Sequence, residues 1–137
     1  MARSLSQLID RLAKLAVTRP YFLQVAAERL GAETLKLIDD GFAARRDPYG
    51  QPWKATQRKN PILERTGTLR DGWSVQRISS EGVTVGNSTD YAPFHQDGTR
   101  YIVIRRMVPT ASRGLGPIWG PRLKEIAQDA LREAVAA

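Results

Sequence analysis

The feature that most constrains the fold is a change of hydrophobic periodicity along the chain. Both ends carry apolar residues spaced by three and four, which is the spacing of one face of a helix. Between residues 73 and 87 apolar and polar side chains alternate instead, which is the spacing of a half-buried strand. Helical patterns on both sides of strand patterns predict an α+β protein in which helices pack on an antiparallel sheet.

Three segments carry the helical pattern. The first covers residues 4–17 and the second, which is longer, covers about 20–42. Gly31 lies inside the second pattern and weakens the helix by roughly 1 kcal/mol relative to alanine. We therefore predict a pair of N-terminal helices within residues 1–42 and a C-terminal helix over residues 121–137, where the apolar stripe is clearest.

The strand patterns predict a small antiparallel sheet of three or more strands within residues 73–105. The first two strands, at about residues 72–79 and 82–87, form a hairpin, with Gly82 supplying a positive backbone angle at the turn. The third strand covers residues 101–105. Because an isolated hairpin is only marginally stable, we expect the long N-terminal helix and the C-terminal helix to cover the sheet.

Two irregular segments, residues 43–72 and 106–120, connect these elements. The first contains the sequence Asp47-Pro48-Tyr49-Gly50-Gln51-Pro52-Trp53. A long segment without periodicity is usually either functional or disordered. Tyr49 and Trp53 argue against disorder, because aromatic side chains gain much from burial. We expect ordered loops within a single domain, since 137 residues fit one domain.

The net charge permits a polyanionic partner. The chain has 21 basic and 14 acidic residues, a formal charge of +7 and a pI of about 10.2. Zinc-finger spacing, a glycine-rich phosphate loop and an RNA-binding aromatic pattern are all missing from the sequence. A small basic nucleic-acid-binding protein is therefore one hypothesis, and a merely solvated basic surface is the simpler interpretation.

The residues needed for catalysis or metal binding are scarce. The absence of cysteine excludes disulfides, thiolate metal sites and cysteine nucleophiles. His95 is the single histidine, and a general base or a zinc site there would need carboxylates from distant positions. Asp39 and Asp40 are adjacent on a helix and point in different directions. We expect no enzymatic activity, no metal and no cofactor, although a small hydrolase using His95 remains an alternative.

Membrane association is also not expected. Charged residues interrupt the apolar run of the first predicted helix at Asp10, Arg11 and Lys14, so neither a signal peptide nor a membrane span is predicted.

His95 is better explained by a structural role than by catalysis. An imidazole can fix a loop by hydrogen bonding or lie at a contact between subunits.

Three segments, taken in order, resemble the virion morphogenesis or tail-completion family of tailed bacteriophages and related prophages. The segments are Gly41-Phe42 with the loop at 47–53, then Ile62-Leu63-Glu64-Arg65-Thr66-Gly67-Thr68-Leu69-Arg70 with the hairpin that follows, and finally Val83-Thr84-Val85-Gly86-Asn87 with Tyr91-Ala92-Pro93-Phe94-His95-Gln96-Asp97-Gly98 and residues 105–109. Each segment is a weak signal alone. Their common order and spacing extend from about residue 41 to residue 109 and make the resemblance fairly specific.

The resemblance implies a non-enzymatic structural protein of the phage neck or tail terminus. Such a protein would assemble in the host cytoplasm as a homo-oligomeric ring, for which we expect a hexamer, and would join tail to head beside neighbouring neck and tail proteins. Ordered loops with exposed anchors such as Tyr49, Trp53 and Trp119 suit interfaces, where aromatic and arginine residues tend to dominate binding energy. The residues that we predict at subunit contacts on this basis are Tyr49, Trp53, Arg70, Tyr91, Phe94, His95 and Trp119. The residues that we predict to face DNA passing through the ring are Lys54, Arg58, Lys59 and Arg113.

Overall fold

The structure is a computed structural model that describes residues 5–18, 21–55 and 68–136. The α+β class predicted from the periodicity is confirmed. In chain order the elements are α1 (Leu5–Thr18), α2 (Phe22–Ala44), α3 (Thr68–Asp71), β1 (Trp73–Ser79), β2 (Gly82–Asn87), α4 (Ala92–Asp97) and α5 (Gly116–Ala136). The organisation as a single domain stays a prediction.

Helix α2 is the element on which the rest of the fold packs. It contacts β1, β2 and α5, and α1 contacts both α2 and α5. The close approach of the hairpin depends on Gly31, which is buried. A Cβ atom at that position would lie 2.9 Å from Cγ2 of Val83 and 3.0 Å from Cγ2 of Val75. The glycine that weakens the helix by propensity therefore makes room for the sheet.

The N-terminal half of α2 packs on the C-terminal half of α5. The buried residues of this contact are small or apolar, namely Phe22, Ala26, Ala127, Ala130 and Leu131. Ion pairs join the two helices at their partly exposed edges. The Nε of Arg122 donates to Oε1 of Glu33 at 2.7 Å, and Arg29 pairs with Glu133. The two helices consequently run antiparallel along one another.

The C-terminal half of α2 forms a second core with the irregular segments. Its buried residues are Leu37, Ile38, Phe42, Trp53, Leu69, Ala92, Met107 and Trp119. Phe42 lies at the centre with only 1% of its surface exposed. Because α3, α4 and the loops each contribute one or two side chains, this core exists only when the connectors are in place.

Within the described residues the sheet has two strands, so the prediction of three or more strands is wrong. β1 and β2 pair antiparallel, from Trp73 opposite Asn87 to Ser79 opposite Gly82. Gly82 has a φ of 151°, which confirms the positive angle predicted at the hairpin turn. The register shifts between Val75 and Arg77, where one extra residue forms a bulge.

Residues 101–105, predicted as the third strand, are irregular. The backbone of this segment forms hydrogen bonds with residues 95 and 99 rather than with β2. The amide of Arg105 donates to the carbonyl of His95 at 2.8 Å, and the carbonyl of Ile102 accepts from the amide of Thr99 at 3.0 Å. The segment therefore folds back on α4, and this tertiary contact overrides the strand propensity of its β-branched and aromatic residues.

Three further boundaries differ from the predicted ones. The loop predicted at 43–72 holds the last two residues of α2 and, at its end, α3. Residues 92–97, predicted as part of a connector, form α4, which has a proline in its first turn and ends at Gly98 with a φ of 77°. The C-terminal helix begins at Gly116 rather than Pro121. A proline is disfavoured inside a helix, but burial of Trp119 stabilises the turn that precedes it.

Candidate subunit-interface surfaces

The turn after α2, residues 45–53, is held in place by hydrogen bonds within the chain. The Oδ1 atom of Asp47 accepts from the amides of Tyr49 and Gln51, both at 2.9 Å, which fixes the turn locally. The hydroxyl of Tyr49 accepts from the amide of Thr110 at 2.9 Å and donates to the carbonyl of Gly114 at 2.7 Å. The polar end of Tyr49 is thus satisfied within the chain, and its half-buried ring holds two loops together.

Two of the predicted interface tryptophans are core residues. Trp53 is 6% exposed and Trp119 is 5% exposed, so the expectation that they would be exposed anchors is wrong. The Nε1 of Trp53 donates to the carbonyl of Arg106 at 2.9 Å. Its ring meets Phe42 edge-on, with centroids 5.2 Å apart. Both indoles are buried in the core of one copy of the chain, and their place at a subunit contact stays a prediction.

Arg70 lies at the edge of the same core. Its Nε donates to Oδ1 of Asp39 at 2.7 Å, and its guanidinium carbon lies 5.9 Å from the centroid of the Phe42 ring. The side chain is half-buried. Arg70 therefore covers the second core and links α3 to α2, a structural role within one copy; its place at a subunit contact stays a prediction.

Residues 91–105, here called the α4 segment, behave differently from the turn. They expose large apolar side chains, whose exposed fractions are 39% for Tyr91, 50% for Phe94, 87% for Tyr101, 40% for Val103 and 44% for Ile104. Tyr91 and His95 meet edge-on, with ring centroids 6.0 Å apart. Of the seven predicted interface residues, the structure brings Tyr91, Phe94 and His95 together on this segment.

The α4 segment is nevertheless held firmly at its base by Gln96. Its Oε1 accepts from the amides of Met107 at 2.8 Å and Val108 at 3.2 Å, while its Nε2 donates to the carbonyl of Val108 at 2.7 Å. A single glutamine beside a connector carries no recognisable signal, so the role of Gln96 could not be predicted from the sequence. The exposed apolar side chains are consequently presented on a fixed support.

His95 is suited to structure rather than to acid–base chemistry. Burial lowers the pKa of its imidazole, and the positive charge of Arg105 lowers it further, so the ring is neutral at neutral pH. Its Nδ1 is buried and has no hydrogen-bond partner among the described residues. No group of three or more histidine, aspartate or glutamate side chains suited to a metal ion occurs in the part of the chain that the structure describes.

The predicted DNA-facing residues are placed only in part. Lys54 and Arg113 are exposed, whereas Arg58 and Lys59 lie outside the described residues. The guanidinium of Arg113 stacks 3.7 Å from the centroid of the Tyr49 ring, and the carbonyl of Lys54 accepts from Nε of Arg105 at 3.0 Å. Lys54 and Arg113 therefore contact different parts of the chain, and contact with DNA stays a prediction.

A comparison with protein families decides the identity of the chain at the family level. A sequence model of the phage virion morphogenesis family matches residues 3–128. The chain belongs to the phage virion morphogenesis family. The matched range includes the segments that carry the sequence resemblance, both N-terminal helices and most of α5.

No curated protein and no solved structure matches this virion morphogenesis protein. Across residues 5–18, 21–55 and 68–136, none of its helices combines the length and the apolarity needed to cross a membrane.

Proposed function

We propose that this virion morphogenesis protein is a structural component of the phage neck or tail terminus, where it forms a homo-oligomeric ring that joins tail to head. Membership of the family supports a role in building the virion. The proposed ring is a hexamer that assembles in the host cytoplasm and contacts neighbouring neck and tail proteins. A ring needs two different patches on each copy, because its contacts run head to tail.

The observation that carries this proposal is the exposed apolar surface of the α4 segment. Single exposed apolar residues are normal on soluble proteins, but five on fifteen consecutive residues form a cluster of the kind that marks interaction sites. Gln96 fixes the base of the segment, so little conformational entropy is lost when a partner covers it. Phe94, half exposed at the middle of α4, is the side chain that we place at the contact.

Chemistry at His95 is not part of the proposal. The lowered pKa leaves a neutral imidazole, and the neighbouring charge that acts on it is the cation of Arg105, not a carboxylate that could orient it. We assign the protein no catalytic activity and no cofactor. A turnover reaction that is lost in His95→Ala would contradict this assignment.

The test is the mass of the purified protein as a function of concentration, by light scattering and native mass spectrometry. We expect a closed oligomer for wild type and, for Phe94→Ala, association weakened by about tenfold or more, with an unchanged melting temperature at concentrations where both proteins are monomeric. Val135→Ala, which shortens an apolar side chain 60% exposed on α5, is the matched control. A wild-type chain that stays monomeric at every concentration, and that is missing from purified phage particles, would overturn the proposal.

A second function is supported by the net charge of +7 and by the exposure of Lys54 and Arg113. These residues are proposed to contact DNA passing through the ring. Binding should then fall steeply with salt, because phosphate contacts release counterions. Tight, salt-dependent binding by a monomer would favour a free-standing nucleic-acid-binding protein, and no binding at low salt would exclude the DNA contact.

A further inference from the structure

A small cavity lies at the C-terminal end of α2. It has a volume of about 190 Å³ and an apolar floor formed by Leu37, Met107 and Trp119, which are buried. Ala44 and Ile118 lie at its exposed rim. A cavity of about 150 Å³ with apolar walls is large enough to bind benzene. This cavity therefore has room for one aromatic ring.

The rim of the cavity favours a cation beside that ring. Its lining includes two acidic residues, Asp40 and Asp47, and one basic residue, Arg46. Asp40 is exposed and therefore available to a partner. In addition, the C-terminal end of a helix carries partial negative charge, and α2 is 23 residues long. The chemistry of the site thus fits an aromatic side chain accompanied by a positive charge.

The tip of the α4 segment presents that combination. Tyr101 is 87% exposed, and the guanidinium carbon of the adjacent Arg100 lies 5.6 Å from the centroid of its ring. Thr99 fixes the tip, since its Oγ1 accepts from the amides of Tyr101 at 3.1 Å and Ile102 at 3.0 Å. The backbone that carries the ring and its neighbouring cation is therefore ordered before any partner arrives.

We propose that the tip of one copy docks into the α2 cavity of the next copy, with the Tyr101 ring in the cavity and the Arg100 guanidinium facing Asp40. This inference rests on the proposed ring and names one of its contacts. The exposure of Tyr101 shows that the tip does not fill the cavity of its own chain. Since the tip and the cavity are different surfaces, the contact is heterologous and can repeat around a closed ring.

The contact can be tested by complementation between two variants. Tyr101→Ala removes the ring but leaves the cavity, whereas Ala44→Arg blocks the cavity but leaves the tip. We expect each variant alone to associate at least about tenfold more weakly than wild type. An equimolar mixture should form a dimer and nothing larger, because only one intact tip can meet one intact cavity. Tyr21→Ala, which removes a tyrosine 81% exposed elsewhere, should assemble like wild type.

Charge exchange provides the second measurement. Arg100→Glu should weaken assembly, and adding Asp40→Arg to the same chain should restore it, as measured by native mass spectrometry. Melting curves of every variant confirm that the fold is kept. A wild-type oligomer that survives Tyr101→Ala and Ala44→Arg unchanged would overturn this contact and leave the ring standing. A wild-type chain that is monomeric at all concentrations would overturn both.

Discussion

The turn at residues 45–53 and the α4 segment have similar compositions but place their aromatic side chains in different surroundings. Each connects longer elements and contains two or more aromatic residues, proline and glycine. In the turn, Trp53 is buried and Tyr49 is hydrogen-bonded to residues 110 and 114. In the α4 segment, Phe94 and Tyr101 face solvent. The presence of aromatic residues in a connector therefore does not by itself indicate whether they are buried within one copy of the chain.

The difference lies in where the polar anchors sit. In the turn the aromatic side chains are themselves the anchors, since the indole of Trp53 and the hydroxyl of Tyr49 make the hydrogen bonds. In the α4 segment the side chain of Gln96 makes the anchoring hydrogen bonds, and the aromatic side chains do not. Stability and assembly should consequently respond to different residues in the two regions.

The largest expected effect is that of Trp53→Ala. Removing a buried indole should lower the free energy of unfolding by about 3–5 kcal/mol, which is a large part of the total stability of a domain. Phe94→Ala should change it by less than about 0.5 kcal/mol, because the ring is half exposed. Urea denaturation measures both. A Trp53→Ala protein that keeps its stability but loses its oligomeric state would erase the distinction between the two regions.

The next effect concerns the base of the α4 segment. Gln96→Ala leaves two amides and one carbonyl of residues 107–108 without their partner, and should lower the free energy of unfolding by about 1–3 kcal/mol. Gln24→Ala, at an exposed position of α2, is the matched control and should change little. Hydrogen exchange adds a local measurement.

In that experiment the amides of Met107 and Val108 should lose protection in Gln96→Ala and keep it in Gln24→Ala. The loss should also reduce association, because the apolar side chains above Gln96 are then less well ordered. Unchanged protection in Gln96→Ala would mean that α4 is supported by packing alone, and the α4 segment would then resemble the turn.

Periodicity predicted the parts of the fold whose stability is local or regular. The long helix α2 and the hairpin were both evident, because their apolar spacing reflects burial on one face. Residues 101–105 were predicted wrongly, since the bond from Arg105 to His95 replaces strand pairing. α4 was missed because six residues are too few to show a period, although Pro93 and Gly98 marked its two ends.

The candidate site was predictable only as a region. The sequence places three of the seven predicted interface residues on the Tyr91–Gly98 stretch, but the burial of Trp53 and Trp119 depends on contacts with Phe42 and other residues distant in sequence. No local pattern encodes such a contact. The bonds of Gln96 to residues 107–108 and the need for a glycine at position 31 have the same origin, because each is set by a neighbour that only the folded chain supplies.

The smallest expected effect is a pH dependence of the free energy of unfolding, which comes from His95 in the α4 segment. His95 is the only histidine in the chain, and burial lowers its pKa below the ordinary value of about 6.5. As the pH falls below that value, the unfolded chain binds a proton that the folded chain does not yet bind. The free energy of unfolding should therefore fall until the pH reaches the folded pKa, and this group contributes no further loss below it.

Melting temperatures of wild type and His95→Gln between pH 8 and pH 5 provide the measurement, with ranges chosen around the ordinary histidine pKa of about 6.5. Wild type should lose more stability than His95→Gln as the pH falls, because only wild type has an imidazole whose protonation the folded state resists, first through burial and then through the charge of Arg105. Local opening around the bond from the Arg105 amide to the His95 carbonyl frees the imidazole to bind a proton, so the α4 segment should lose hydrogen-exchange protection before the 45–53 turn does. If the melting temperatures of the two proteins fall in parallel, His95 is solvated like a surface histidine. The α4 segment would then differ from the 45–53 turn in its exposed rings alone, and not in a buried imidazole at its base.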